Sequence, residues 1–110
     1  MIRKVSGSAI YIGDESFSQP IALTQDAVIG DWHDLDIDAL NYEHFAALVA
    51  TQPELVVLGT GSESAFAPKQ LVFAFARAGI GLEVMNTPAA ARTFNVLAGE
   101  GRRIAAVLYP

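Results

Sequence analysis

The sequence predicts an α/β fold: one domain over residues 1–110, rich in β-structure over about 1–37 and with a βαβαβ unit over about 54–109. Hydrophobic residues make up 52% of the chain and charged residues 17%, which is enough apolar material for one core at this length. The first third consists of short apolar runs separated by turn residues. The second half alternates continuous apolar runs with segments of helical periodicity.

Short apolar runs bounded by Gly, Pro, Asp and Ser predict three strands in the first part: 8–12, 20–23 and 27–29. A turn is predicted at 13–15. After Trp32, the segment 34–38 alternates Asp with Leu35 and Ile37. This period of two predicts a further strand that buries both apolar side chains on one face.

A first helix is predicted to begin at Asn41, which is a typical N-cap residue. Glu43 would then lie in the first turn, near the positive end of the helix dipole. Leu40 and Phe45 have the spacing of a hydrophobic staple, and Pro53 ends the segment.

The second half is divided by its own capping residues. Apolar runs predict three further strands at 55–58, 81–85 and 104–108. Pro68 at the first helical position and Gly79 after the last bound one helix. Thr87 is predicted as the N-cap of the next helix, which begins at Pro88 and runs to about residue 98. Right-handed crossovers are expected wherever successive strands are parallel.

The composition argues against several classes of function. Without cysteine the chain cannot form disulfides, thiolate zinc sites, iron–sulfur centres or a cysteine nucleophile. Its formal charge is −5 and its basic residues are mostly scattered, so we expect no nucleic-acid partner. No apolar stretch has the length of a membrane span or forms a signal-peptide core, so we expect a cytoplasmic protein without membrane insertion.

Metal and cofactor sites are not expected either. His33 and His44 are the only histidines, and they lack the spacing of a zinc-binding pair. The segment that begins at Asp34 matches the opening of a calcium loop, but Ala39 and Phe45 stand where Gly and Glu are required.

The first candidate site is the run Gly59, Thr60, Gly61 and Ser62, which directly follows a buried strand, where open α/β sheets bind ligands. A dinucleotide fingerprint would need glycine in place of Ser64, and the ending of a Walker A loop is missing. Ser62 lacks the flanking glycines of a nucleophile elbow. A structural turn and a ligand loop are therefore equally good interpretations.

The second candidate site is the segment from Thr87 to Arg92, because the backbone N–H groups of a helix start, together with Arg92, could hold a small anion. The helical wheel places Arg92 and Asn95 opposite the inward-facing Ala90 and Phe94. This placement favours a solvated or interface arginine over a ligand-binding one. If the strands are parallel, the two candidate loops lie at one sheet edge and form a shallow cleft.

Phe73 is a candidate interface residue. On its predicted helix it faces away from the core, beside Lys69 and Arg77. An outward aromatic side chain either packs beneath another part of the chain or anchors a partner protein or a second copy. The sequence supports both alternatives equally.

Three stretches resemble a widespread family of unknown molecular function: LVVLGTG at 55–61, GIGLEVMNTPAAARTFNVL at 79–97 and GEGRR at 99–103. This family includes the mitochondrial complex I assembly factor three and a cytosolic adipogenesis-associated protein. The resemblance implies an MTH938-like, three-layer β+β/α fold with a mixed central sheet, a small antiparallel sheet and about three helices. Relatives commonly carry Asp, Cys and Tyr at Asn86, Ala91 and Phe94, so we expect no nucleophilic or redox role here.

These patterns favour binding over catalysis. The leading hypothesis, to which the resemblance contributes, is a non-enzymatic binding or assembly-assisting module that acts through a protein surface. The alternative is an anion-binding protein or enzyme that uses the loops at 59–62 and 87–92. A protein partner, a homo-oligomer and a small anion therefore remain open. The candidate binding residues are Gly59, Thr60, Gly61, Ser62, Thr87, Arg92 and Asn95, with Phe73 at an interface.

Overall fold

The computed structural model describes all 110 residues and confirms the α/β class. The strands are β1 (Ile2–Ser6), β2 (Ala9–Ile12), β3 (Glu15–Phe17), β4 (Ile21–Thr24), β5 (Val28–Asp31), β6 (Leu55–Thr60), β7 (Gly81–Met85) and β8 (Ile104–Tyr109). The α-helices are α1 (Ala46–Val49), α2 (Lys69–Ala78) and α3 (Thr87–Gly99), and two 3-10 helices span Ile37–Ala39 and Tyr42–Phe45.

A small antiparallel sheet is formed by β1, β2 and β3. The sequence predicts β2, but it does not predict β1 or β3, which are short and largely polar. Their backbone conformation is set by pairing with β2, so tertiary context outweighs local propensity. The predicted turn at 13–15 is shorter than expected, because Glu15 already pairs with Ile12.

The larger sheet has five strands in the order β5-β4-β8-β6-β7 and is mixed, as the resemblance implies. β6 is parallel to both β7 and β8, whereas β4 is antiparallel to β5 and β8. The crossovers from β6 to β7 and from β7 to β8 run in opposite directions across the sheet. Right-handed connections therefore place α2 and α3 on opposite faces.

Each face of this sheet has its own hydrophobic core, because alternate residues of a strand point to opposite faces. On one face, Val57 packs in a cluster with Phe94 of α3 and with Ile10 of the small sheet. On the other face, Val56 packs in a cluster with Phe75 of α2. The central sheet is thus the middle of three layers: α3 and the small sheet cover one face, and α2 covers the other.

The first helical region begins where the sequence predicts. Asn41 is an N-cap: its side chain accepts a hydrogen bond from the His44 amide, and His44 Nδ1 accepts one from the Asn41 amide. This reciprocal capping box stabilises a 3-10 turn, which leads into the single turn of α1. Phe45 is fully buried against the α2 side of the sheet.

The strand predicted at 34–38 is wrong. The backbone leaves the sheet after Asp31 and forms a 3-10 turn at Ile37–Ala39. Leu35 and Ile37 are half-buried against the core on the α2 side, as their alternation suggested. The alternation therefore reports which side chains face inward, and no neighbouring strand pairs with this segment.

Three boundaries also differ from the sequence prediction. Strand β6 runs on to Thr60, so Gly59 and Thr60 belong to the strand and not to the loop. Pro68 precedes α2 in an extended conformation as its N-cap, so it is not the first helical residue. Asn86, and not Thr87, caps α3, because its side chain accepts a hydrogen bond from the Ala89 amide.

Candidate functional site

The carboxyl ends of β6, β7 and β8 meet at one edge of the sheet, where the two predicted loops also meet. Gly61 is the first residue after β6 and is buried with a φ of +103°, a value that favours glycine. Ser62 follows it at the exposed surface. The half-buried hydroxyl of Thr60 shares its one proton between the carbonyl oxygens of Glu63, at 2.8 Å, and Met85, at 3.2 Å. This hydroxyl joins the end of β6 to its own loop and to the end of β7.

Thr87 connects all three strand ends. Its side chain is fully buried, and its hydroxyl oxygen accepts a hydrogen bond from the Gly61 amide at 2.8 Å. The same hydroxyl donates to the carbonyl oxygen of Tyr109 at 2.5 Å, and the Thr87 amide donates to the Gly61 carbonyl at 2.7 Å. Thr87 therefore acts as a structural link between β6, α3 and β8.

Gly59 permits this close packing. A Cβ atom at Gly59 would lie 2.8 Å from the Thr87 hydroxyl oxygen, 3.0 Å from Leu108 Cδ2 and 3.1 Å from Ala90 Cβ. No side chain fits in this space without displacing the start of α3 or strand β8. Gly59, a candidate ligand-binding residue on the sequence alone, thus has a packing role in the structure.

The amide groups at the start of α3 are already occupied by protein acceptors. Thr87 donates to Gly61, Ala89 donates to the Asn86 side chain and Ala90 donates to the Asn86 carbonyl. Pro88 has no N–H group. The first turn therefore offers no free backbone donor for the anion of the alternative hypothesis.

Tyr109, the last residue of β8, links the strand ends to the segment that follows β5. Its hydroxyl oxygen accepts a hydrogen bond from Trp32 Nε1 at 3.2 Å and donates one to the Leu35 carbonyl at 2.8 Å. Burial raises the pKa of Tyr109, and the negative charges of Asp36 and Asp34 add to the rise, against the hydrogen bond from Trp32, which lowers it. The neutral phenol thus anchors the irregular segment after β5.

Asn95 and Arg92 have different environments although both lie on α3. The half-buried Asn95 side chain accepts a hydrogen bond from the Ile2 amide at 3.1 Å and donates one to the Ile2 carbonyl at 2.7 Å. Arg92 is exposed at the rim of a cleft of about 170 Å³ between β1 and α3. Arg3 and Lys4 line the same cleft. Neither residue is among the sequence-based candidates, because the sequence predicts no strand before residue 8.

The two histidines lie closer together than their sequence spacing indicates. The ring centroids of His33 and His44 are 4.9 Å apart, and His33 Nε2 lies 3.2 Å from the His44 carbonyl oxygen. No group of three or more His, Cys, Asp or Glu side chains converges there or elsewhere in a way that could hold a metal ion.

A large apolar area lies on the α2 side of the molecule. Phe66 is 97% exposed and Phe73 is 58% exposed. Two adjoining hollows of about 330 and 390 Å³ share Phe66, Ala67 and Val72 as lining residues. We call the area formed by Phe66, Ala67, Val72, Phe73 and Val84 the Phe66–Phe73 surface. Phe73 is not packed beneath another part of the chain, and its role at an interface stays a prediction.

Phe66 is absent from the sequence-based candidates. It lies in the segment between β6 and α2, where helical periodicity gives no information about which way a side chain points. The run Ala65, Phe66 and Ala67 is nevertheless an apolar stretch inside a predicted loop, and this signal could have identified it.

Strand β7 borders the Phe66–Phe73 surface. It is an edge strand of the five-stranded sheet, so one of its backbone edges has no strand neighbour. Val84 of β7 lines the hollow together with Phe66 and Val72. An apolar hollow and an unpaired strand edge are therefore adjacent, which is the arrangement that can accept an extended segment of another chain.

Comparison with known sequences gives a match over residues 2–109 to a family described as protein of unknown function (DUF498/DUF598). The "13 kDa major membrane protein" of Francisella tularensis is 27% identical over 84% of this chain and 76% of its own length. The human "NADH dehydrogenase (ubiquinone) 1 alpha subcomplex assembly factor 3" is 34% identical over 83% of this chain. The chain spans 50% of that human protein.

Solved structures agree in fold. A Xanthomonas campestris protein has a TM-score of 0.90 at 34% identity, over 99% of this chain and 83% of that chain. A Bordetella pertussis protein described as a Mth938-like domain has a TM-score of 0.81 at 25% identity, over 99% of this chain and 84% of that chain. The comparisons confirm the resemblance and the fold inferred from sequence.

The length and apolar character of the helices bear on whether they could cross a membrane. None of the helices has the length and apolar character needed to cross a bilayer. Because the Francisella relative carries the name of a membrane protein, the cytoplasmic location stays a prediction.

Proposed function

We propose that this chain, which belongs to the DUF498/DUF598 family of proteins of unknown function, is a non-enzymatic module that assists protein assembly. In this proposal it binds a protein partner through the Phe66–Phe73 surface. The observation that carries the proposal is the exposure of two phenylalanine side chains, Phe66 and Phe73, which line the same mainly apolar hollow.

Exposure of these aromatic side chains is unfavourable in an isolated protein. Burying a Phe side chain stabilises by roughly 1.5–3 kcal/mol. Aromatic side chains are enriched at the energetic centres of interfaces, where a partner removes them from water. Phe66 and Phe73 have the exposure and the shared hollow expected of such anchors. Scattered single apolar residues, such as the exposed Ile29 of β5, do not have this arrangement.

The adjacent edge of β7 supports an extended partner segment. An added strand would form backbone hydrogen bonds with β7, and alternate side chains of that strand would point toward the hollow beside Val84. Glu83 is exposed on the same strand and would favour a basic residue nearby in the partner. The proposed partner segment is therefore extended, apolar at alternate positions and basic near Glu83.

The assembly-factor relatives support the assistance part of the proposal. The rat and human proteins named as assembly factor 3 are each 34% identical to this chain over 83% of its length. The matched region is 50% of each of those relatives, so each of them is longer than this chain. Shared sequence supports a non-catalytic role in assembly, whereas the identity of the partner is a matter for experiment.

The alternative of anion chemistry at the two strand-end loops has less support. The hydroxyl of Thr87, the amide of Gly61 and the first amides of α3 all have partners within the protein. Ser62 and Arg92 are the exposed residues of that hypothesis without such contacts, and Arg92 lines a different cleft, between β1 and α3.

Photo-crosslinking tests the proposal without assuming a partner. Phe66 or Phe73 is replaced by p-benzoylphenylalanine in the native host, and Val96 serves as the control position, because it is 60% exposed on α3. We expect a discrete adduct with one other protein from positions 66 and 73 and none from position 96. Equal labelling at all three positions, no adduct, or an adduct of only two copies of this chain would overturn the proposal.

A further inference from the structure

We propose that the cleft between β1 and α3 is a binding site for a small phosphate-bearing anion, held by Arg3, Lys4 and Arg92. This site is independent of the Phe66–Phe73 surface, because α3 and α2 cover opposite faces of the sheet. The three cations line a cavity of about 170 Å³ together with Ile2, Val5, Pro88, Ala91 and Asn95.

The distribution of charge is the first argument. The chain has seven Lys and Arg residues against twelve Asp and Glu, yet three of the seven line this one cleft. No acidic residue lines it. The one salt bridge in the molecule joins Arg102 to Glu54, so Arg3, Lys4 and Arg92 have no acidic partner within the protein. Three unpaired cations around a cavity create a local positive field in an acidic protein.

The backbone of β1 brings two consecutive cations to this place. In a regular strand, Arg3 and Lys4 would point to opposite faces. The register shifts between Ile2 and Lys4: Ile2 pairs with Ile12 and Lys4 pairs with Tyr11, so Arg3 is an extra residue in the strand. Such a bulge redirects a side chain, and both cations are exposed at the cleft.

The cations are held in place by neighbours that leave most of their donors free. The Arg3 Cζ and the Lys4 Nζ each lie 5.5 Å from the centre of the Tyr11 ring. Arg3 Nε donates to the Gly13 carbonyl at 3.1 Å, which uses one of the five guanidinium N–H groups. The remaining donors can bind an anion.

Asn95 positions the two walls of the cleft. Its two hydrogen bonds with the Ile2 backbone, one in each direction, fasten β1 onto α3. Arg92 lies one turn before Asn95 on the same helix. The hydrogen bonds between Asn95 and Ile2 therefore hold the strand that carries Arg3 and Lys4 next to the helix that carries Arg92. The two walls of the cleft are therefore fixed relative to each other before any ligand arrives, which reduces the entropy lost on binding.

The volume and charge define the ligand class. A cavity of about 170 Å³ is smaller than the roughly 300–1,000 Å³ of sites for drug-sized molecules, so it takes one small anion or one anionic group of a larger molecule. Two guanidinium groups and an ammonium group match a dianion better than a carboxylate, since guanidinium binds phosphate oxygens in bidentate geometry. We therefore assign the site to a phosphate monoester or free phosphate.

The test is an NMR titration of the ¹⁵N-labelled protein with inorganic phosphate, with sodium chloride at matched ionic strength as the control. We expect saturable amide shifts confined to β1 and to the residues of α3 from Ala91 to Asn95. Arg92→Gln should weaken phosphate binding about tenfold or more. Arg77→Gln, which removes an exposed arginine on α2, should leave the affinity unchanged.

Two outcomes overturn the proposal. The first is a set of shifts equal to those in chloride or spread over all basic residues, which would show ionic screening alone. The second is a titration with inorganic phosphate that does not saturate, together with binding to lipid vesicles. That binding would be measured as cosedimentation with phosphatidylglycerol-containing vesicles, and it would be lost in Arg92→Gln. That result would assign the cleft to a lipid surface. Retained folding of Arg92→Gln is checked by its amide spectrum, and Arg3→Gln provides a second variant on the opposite wall.

Discussion

The hydroxyl oxygen of Thr87 lies 2.8 Å from the amide nitrogen of Gly61, and both residues are buried where three parallel strands end. The sequence predicts Gly61 in a structural turn or a ligand loop and Thr87 as a helix cap. Their hydrogen bond shows instead that they hold the end of β6 against the start of α3. The buried Thr87 hydroxyl and the Gly61 amide are thereby mutually satisfied, and neither is available to a ligand.

Replacing Thr87 by valine should destabilise the fold strongly, although the side chain keeps its size. The Gly61 amide and the Tyr109 carbonyl would each lose a partner in a buried site. At about 1–3 kcal/mol for each unsatisfied group, we expect a loss of about 2–6 kcal/mol in the free energy of unfolding, measured by urea denaturation. Thr87→Ser keeps the hydroxyl and should lose less. Equal stability of the valine variant and the wild type would refute the linking role.

Gly59→Ala tests the close approach of α3 to β6. The new methyl group would lie within 2.8–3.1 Å of Thr87, Leu108 and Ala90, so we expect a loss of about 1–3 kcal/mol from overpacking. Gly99→Ala is the matched control, because no atom lies within 4 Å of its added Cβ near the end of α3. It should be neutral or stabilising, in line with helix propensity. Similar thermal stability for both variants would contradict this packing account.

Asn95→Ala should release β1 from α3. The variant loses both hydrogen bonds with Ile2, so we expect a destabilisation of about 1–3 kcal/mol and faster hydrogen exchange of the β1 amides than of the β6 amides. Val96→Ala, at an exposed neighbouring position, should change stability by less than about 0.5 kcal/mol. Unchanged exchange in β1 would show that the strand is held by other contacts.

The raised pKa of Tyr109 predicts that the folded protein loses stability at alkaline pH. Its pKa in the folded protein is raised by burial, so the unfolded chain releases this proton first as pH rises above about 10. The contribution is present in full below that pH and is lost as pH rises through the folded pKa. We expect the free energy of unfolding of the wild type to fall more steeply above about pH 10 than that of Tyr109→Phe. Parallel curves for the two proteins would contradict the raised pKa.

The sequence predicts best those elements whose signal is local and repeated. The run at 55–58, the cap at Asn41 and the glycine at Gly79 each carry enough information in neighbouring residues to place β6, the first helical turn and the end of α2. Strands β1 and β3 do not, because their extended conformation depends on pairing with β2.

The candidate site is less predictable than the fold. The helical wheel correctly places Phe73 and Arg92 on exposed faces. The residues that line the same hollows come from elsewhere: Phe66 from an irregular segment, and Arg3 and Lys4 from a bulged strand. Periodicity describes one element at a time, so it cannot show which residues of different elements share a surface.

The affinity of the crosslinked partner for this protein tests the central claim most directly. Isothermal titration with the purified partner would compare the wild type with Phe66→Ser/Phe73→Ser, and Val96→Ser would control for a new surface hydroxyl. If each phenylalanine contributes about 2 kcal/mol as an interface anchor, the double variant should raise Kd by more than about 100-fold. An unchanged Kd in the folded double variant, or an equal loss in Val96→Ser, would contradict binding through the Phe66–Phe73 surface.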